Sequence, residues 1–274
     1  MKQNLYQQEN LIAEKPITFK PLKKGKTLLL FDIDGTLAPF IKKMEDDMKN
    51  EIIKIKKTTD FHIASVGGSD FKKVKFQLDD SISNFNYIFS ENGLQVRDSN
   101  RNLVHSYTVC EYLGEEKIKE FVNFVLRYLA DIDIPFKRGT FIEYRTGMFN
   151  ICPCGRNLTP EEREEFVKYN NEHKVVAKLK EAIDEKFGKT LHMKCSFGGQ
   201  ISIDCFPEGW DKTYCLKYCK DYDNIVFFGD KTYLNGNDFE IARSDEITRG
   251  YTVKSPQDTI KYIEEVIEEI KKLN

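Results

Sequence analysis

The sequence predicts an α/β protein with a parallel sheet, interrupted by an inserted α+β unit with an antiparallel sheet. Three observations predict this. Apolar runs of strand length alternate with helical periodicity at both ends of the chain. The middle reads differently, as strands paired through short glycine turns with helices beside them. Polar turns rich in aspartate follow the strands at both ends, where open α/β sheets hold their ligands.

Residues 1–25, rich in Gln, Asn, Lys and Pro, read as a loosely held N-terminal arm. Thr27-Leu28-Leu29-Leu30-Phe31 is a continuous apolar run that suits a buried parallel strand, followed by the turn Asp32-Ile33-Asp34-Gly35-Thr36. Met44, Met48, Ile52 and Ile55 predict a helix over 44–57. His62–Val66 is a second strand ended by Gly67-Gly68. A short helix over 71–78 and a third strand, Asn86–Phe89, follow. The alternation returns at the C-terminal end. Asn224–Phe228 is a strand running into Gly229-Asp230, Tyr251–Val253 is another, and 256–272 is an amphipathic helix with Pro256 in its first turn.

In the middle, Ile118, Phe121, Val122, Val125 and Leu129 form one stripe of a helix over 115–130. Strands over 140–145 and 148–152 flank Thr146-Gly147. A charged helix follows over 160–187, then strands at 191–197 and 200–206 around Gly198-Gly199. The organisation predicted is an arm at 1–25, a core of 26–102 with 207–274, and an insert of 103–206.

Composition narrows the classes of function. The chain has 274 residues, 40% of them hydrophobic, enough for a sizeable core. Lys plus Arg (42) nearly balance Asp plus Glu (44), which gives no global case for binding nucleic acid or an anionic membrane. No run approaches the roughly 20 apolar residues of a membrane span, and Met1–Lys26 lacks a signal peptide's apolar stretch. Seven cysteines is an odd number in a chain that needs no staples, so reduced thiols and a cytoplasmic location are expected. Cys152-x-Cys154 and Cys215-x₃-Cys219 lack zinc spacing and read as ordinary buried thiols.

The chemistry concentrates at strand ends. Asp32 and Asp34, one residue apart, repel each other unless a cation or shared proton relieves them. Gly229-Asp230 supplies a second acidic strand end, and Asn237-Asp238 follows eight residues later. Oxygen ligands of this kind favour Mg²⁺, which also binds substrate phosphates, so phosphoryl transfer leads.

Phe31-Asp32-Ile33-Asp34-Gly35-Thr36-Leu37 resembles the DxDGT motif of haloacid-dehalogenase-like (HAD) phosphotransferases, and Gly229-Asp230-Lys231-Thr232 with Gly236-Asn237-Asp238 resembles their acidic fourth motif. The sequence more specifically resembles the eukaryotic α-phosphomannomutase family. The blocks that carry this are Val66-Gly67-Gly68-Ser69-Asp70-Phe71, Ser90-Glu91-Asn92-Gly93-Leu94, Arg138–Arg145, Gly198-Gly199-Gln200-Ile201-Ser202 and Gly209-Trp210-Asp211-Lys212. They occur in the family's order from about Leu28 to the last helix. The fold implied is a Rossmann-like HAD core with the inserted cap.

The resemblance implies roles. Asp32 is the nucleophile, forming an aspartyl-phosphate, and a Mg²⁺ ligand. Asp34 is the general acid and base, with its backbone carbonyl on the metal. Asp230 is the third protein ligand, supported by Asp238, and Lys212 neutralises phosphate. Gly67, Gly68 and Ser69 hold phosphate through backbone N–H groups or the Ser69 hydroxyl. In the cap, Arg145, Arg156 and Arg163 clamp the phosphate not being transferred, and Ser202 and Asp204 contact the sugar. Asp245 and Thr248 match the ligands of a second, structural cation. The activity implied interconverts mannose 6-phosphate and mannose 1-phosphate, primed by a hexose 1,6-bisphosphate, for GDP-mannose synthesis. The partners implied are hexose phosphates and a second copy of the chain, in a homodimer through the caps. The sequence departs from the family at Ile41, where an arginine is expected, and at Asn235, which replaces a glycine.

Overall fold

β1 (Thr27–Phe31) is buried at every position because it lies inside a sheet covered on both faces. Leu29 and Phe31 point into one apolar cluster, Leu28 and Leu30 into another, as the period of two demands. The computed structural model describes residues 16–198, 200–234 and 236–273. Two compact units are formed, one running to Ser106 and resuming at Asp211, the other Tyr107–Trp210.

The first unit is a seven-stranded sheet in the order β11-β10-β1-β2-β3-β4-β5. Its remaining strands are β2 (His62–Val66), β3 (Tyr87–Ser90), β4 (Gln95–Arg97), β5 (Leu103–Ser106), β10 (Asn224–Gly229) and β11 (Arg249–Thr252). β11, β10, β1, β2 and β3 are parallel, and β4 and β5 add antiparallel edge strands. That hairpin is a difference from the sequence reading. Gln95-Val96-Arg97 is too short and polar to signal a strand, and its pairing partner is strand β3 rather than any local pattern. Helices α1 (Asp46–Thr58), α2 (Phe71–Leu78) and α8 (Pro256–Leu273) flank the sheet, with Met48, Ile52, Ile263 and Val266 in the cluster that holds Leu29 and Phe31. A 3₁₀ segment (Lys212–Tyr218) and α7 (Phe239–Ala242) contribute Cys215, Leu216 and Ile241 to the other cluster.

Residues 1–15 of the expected arm lie outside the described residues, as do Gly199 and Asn235. From residue 16 the arm is not loose. The Thr18 and Lys20 N–H groups donate to the carbonyls of Ala242 (2.9 Å) and Thr248 (2.8 Å), and Gly250 N–H donates back to Thr18 (2.8 Å). Phe19 forms an antiparallel bridge with Arg249, whose guanidinium lies 4.1 Å from the Phe19 ring centroid, and Leu22 is buried in the core.

The second unit carries a four-stranded antiparallel sheet, β6-β7-β9-β8. Its strands are β6 (Ile142–Tyr144), β7 (Phe149–Ile151), β8 (Met193–Phe197) and β9 (Ile203–Pro207). Its helices are α3 (Val109–Leu113), α4 (Glu115–Asp131), α5 (Pro160–His173) and α6 (Val175–Phe187). The α4 stripe is buried within the unit, with Phe121 packed on Phe149 (4.8 Å between centroids) and Phe187 (5.2 Å). The single helix expected over 160–187 is two, because Lys174 takes a left-handed conformation (φ 56°) and caps α5. The expectation of reduced thiols is corrected at one pair. Cys195 and Cys205 stand directly opposite on β8 and β9, Cα atoms 4.3 Å apart, and are joined as a disulfide. The other five cysteines, including Cys152, Cys154, Cys215 and Cys219, are free. No helix among the described residues is long and apolar enough to cross a membrane.

Candidate active site

The acidic turn leaves β1 at its C-terminal end, flanked by β10 and β2. Asp32 N–H donates to Phe228 O on the neighbouring strand (2.9 Å), which sets the side chain against the end of β10. There, carboxylate oxygens of Asp32, Asp230 and Asp238 lie within 4.8 Å of one another. Two glycines permit this approach. A Cβ on Gly35 would stand 2.8 Å from Asp230 Oδ2, and one on Gly229 would stand 2.6 Å from Asp238 Cγ. Gly35 also has φ +83°, open to glycine at no steric cost.

Lys212 is almost wholly buried and donates from Nζ to Oδ1 of both Asp32 and Asp238. Burial disfavours its charge, yet the two carboxylates more than offset this and hold the ammonium charged, above its ordinary value. Asp238 is closed off further by the Lys231 N–H (3.0 Å). Burial pushes Asp32 up to about 7 against the pull of Lys212, with Asp238 adding to the rise. Burial likewise raises Asp230, whose Oδ1 is buried without a hydrogen-bond partner. Lys212 pairs with Asp32 and Asp238, and Lys231 lies 3.9 Å from Asp230 Oδ2, yet the buried Asp230 Oδ1 stays unsatisfied. That donor set fits a hard divalent cation, with Asp32 and Asp230 the residues free to take it.

Asp34 is held differently. Its Oδ1 accepts from Ile41 N–H (2.8 Å) and Gln77 Nε2 (2.8 Å), and Oδ2 from Lys73 Nζ (2.8 Å). Burial alone would raise it, but the Ile41 N–H, Lys73 and Gln77 together hold it below its ordinary value. Its carboxyl is thus not in the acidic cluster. Ile41 is exposed and has φ 59°, so the position of the family's arginine contributes a backbone N–H and no charge. Lys43, two residues further on, is paired with Asp79 (3.2 Å). Gly67 N–H is taken by Phe89 O (3.0 Å), leaving the phosphate role expected of this turn to Gly68 and Ser69.

The second cation expected at Asp245 and Thr248 meets an occupied loop. The Thr248 hydroxyl accepts from Ile225 N–H (3.1 Å) and its carbonyl from Lys20 N–H (2.8 Å). The Asp245 carbonyl accepts from the Lys20 ammonium (2.6 Å). Each of these oxygens accepts from the chain's own donors, one of them a cation.

In the second unit, four expected residues meet in one network. Asn150 on β7 donates to Asp204 Oδ1 (2.6 Å) and Ser202 Oγ (3.4 Å), and accepts from Arg156. Glu143 on β6 pairs with Arg145 (2.7 Å) and Arg156 (3.1 Å). Arg163 stands apart from this network, exposed on α5. Glu143 and Asn150 were missed as site residues, as were Lys73 and Gln77. Glu143 lies within the Arg138–Arg145 block already matched, but nothing local marks the other three.

The fold is shared with haloacid-dehalogenase-like proteins. A haloacid dehalogenase-like hydrolase from Bacteroides thetaiotaomicron superposes with a TM-score of 0.56 at 10% identity, over 88% of this chain and 99% of that one. Trehalose-6-phosphate phosphatase of Aspergillus fumigatus does so with a TM-score of 0.56 at 14% identity, over 89% and 94%. The sequence narrows this class. The model of the family described as eukaryotic phosphomannomutase matches residues 48–269. Phosphomannomutase 1 of Dictyostelium discoideum is 47% identical over 88% of this chain and 96% of its own length. The phosphomannomutase of Glycine max is 48% identical over 85% and 93%. The chain belongs to the eukaryotic phosphomannomutase family.

Proposed function

We propose that the chain is a phosphomannomutase that interconverts mannose 6-phosphate and mannose 1-phosphate, primed by a hexose 1,6-bisphosphate. What carries the reading is a contrast within one turn. Asp32 sits in a buried cluster of three carboxylates, while Asp34, two residues on, is held outside it by three donors.

The Asp32 carboxylate attacks phosphorus of the bisphosphate, the bond from phosphorus to the sugar oxygen breaks, and that oxygen takes its proton from Asp34, which has first taken one up from solvent. In the return, the other hydroxyl of the reversed sugar attacks phosphorus, its proton passes to Asp34, and the acyl-phosphate bond to Asp32 breaks. A Mg²⁺ ion held by Asp32, Asp230 and the Asp34 carbonyl would neutralise phosphate charge. Lys212 acts beside it, while Asp238 fixes Lys212 in place. Gly68 and Ser69 bind the transferred phosphate. Arg145, Arg156 and Arg163 bind the other one, and Ser202 and Asp204 the sugar. A homodimer and a cytoplasmic location remain part of this reading.

The test supplies mannose 1-phosphate with a trace of glucose 1,6-bisphosphate and measures hexose 6-phosphate and free phosphate together. Hexose 6-phosphate is expected. Free phosphate without it would make the chain a phosphatase.

A further inference from the structure

Asp34 draws its side-chain donors from one short helix. Lys73 and Gln77 are four residues apart on α2, which places both on one face. The register of that helix is fixed at its start, where the Asp70 side chain accepts from Lys73 N–H (2.8 Å). Gln77 is buried, and its amide also reaches the Lys42 carbonyl (3.4 Å), so it cannot follow Asp34 if the carboxyl moves. Lys73 is the more accessible member, with 34% of its side chain exposed and a flexible stem that lets its ammonium swing aside. With Ile41 N–H as third donor, both Asp34 oxygens are engaged before any sugar arrives.

A mutase needs such an arrangement. Water can attack the phosphorus of phosphorylated Asp32, pass its proton to Asp34 and release inorganic phosphate, restoring the Asp32 carboxylate. The same Asp34 oxygen that serves a sugar hydroxyl would serve that water. A carboxyl clamped on both oxygens is a poor partner for a small, weakly held molecule. A hydroxyl positioned by phosphate contacts elsewhere on the sugar can displace the lysine.

We propose that Lys73 is a positioning residue for Asp34, assisted by Gln77, that withholds Asp34 from water and yields it to a bound sugar hydroxyl. The inference rests on the reading of Asp34 as acid and base. It assigns to α2 the control of the ratio of isomerisation to hydrolysis.

The experiment compares wild type, Lys73→Met, Lys73→Arg and Asp34→Asn. It measures hexose 6-phosphate formed, free phosphate formed, kcat and KM, with thermal unfolding as a check on folding. In Lys73→Met, free phosphate per hexose 6-phosphate should rise about tenfold and kcat should fall by about ten- to a hundredfold, at little change in KM. Lys73→Arg keeps a donor and cation and should restore most of the wild-type ratio, which keeps the test decisive if the methionine variant folds poorly. A wild-type ratio in folded Lys73→Met, with Asp34→Asn inactive, overturns the role of Lys73 alone. Full mutase activity in Asp34→Asn overturns the reading of Asp34 beneath it.

Discussion

The acidic centre of the first unit and the arginine network of the second use the same elements, carboxylates against cations, at opposite depths. Lys212, Asp32 and Asp238 are nearly free of solvent, whereas Glu143, Arg145 and Arg156 are each a third or more exposed in their side chains. A buried charge is tolerable only with its partners in place, and removing one strands the others. An exposed pair gains little, because water already solvates both members. On the proposed reading, the buried cluster of the first unit is structural and chemical at once, while the exposed network of the second is left available for a ligand.

Four substitutions would break or sharpen that contrast. Asp32→Asn should abolish turnover while the fold is kept, because one of three crowded carboxylates is neutralised and Asp238 still pairs Lys212. Residual activity near wild type would dismiss Asp32 as nucleophile. Lys212→Met leaves Asp32 and Asp238 buried without their cation and should cost about 3–5 kcal/mol in metal-free buffer, read by denaturant unfolding. Added Mg²⁺ should recover part of this and EDTA remove it again; indifference to metal would argue against a cation at this cluster. Arg156→Gln should raise KM for the hexose phosphate with a stability change of about 1 kcal/mol or less.

The smallest effect concerns pH. The hydrogen bond from Arg145, with the charge of Arg156, holds Glu143 below its ordinary value of 4.5 against partial burial. The stability this contributes is present above pH 4.5 and is lost as pH falls through the lowered folded value. The Tm difference between wild type and Glu143→Gln should therefore shrink on acidification below that point. A difference that persists at lower pH would place the role of Glu143 in packing rather than charge.

What could be read from sequence follows from where the information lies. β1 and its acidic turn are local features: an unbroken apolar run, then residues whose chemistry makes sense together within five positions. The Arg145 and Asp204 assignments needed the family resemblance, yet the structure brings them to the same network. Features set by distant contacts were not legible. Strand β4 exists because β3 offers it an edge, and residues 16–22 are ordered because β11 accepts them. The break at Lys174 goes against its residue type, since a left-handed lysine carries no signature such as Gly or Asn would give. Cys195 and Cys205 meet only through the pairing of β8 with β9. Lys73 and Gln77 read as ordinary helix residues until α2 is placed beside the turn after β1.

The pairing of β1 with β10 bears on how the chain acquires its structure. Thr27 and Asn224, opposite each other in register, are 197 residues apart. During synthesis β1 can pair with β2 within seconds, but its other edge presents unpaired backbone groups until β10 has been made. The whole second unit is translated in that interval and can complete its own sheet first, its contacts being local by comparison. Slow folding of Tyr107–Trp210 would then prolong exposure of an apolar strand in the other unit, so substitutions in the core of the second unit can lower the yield of active protein without touching Asp32.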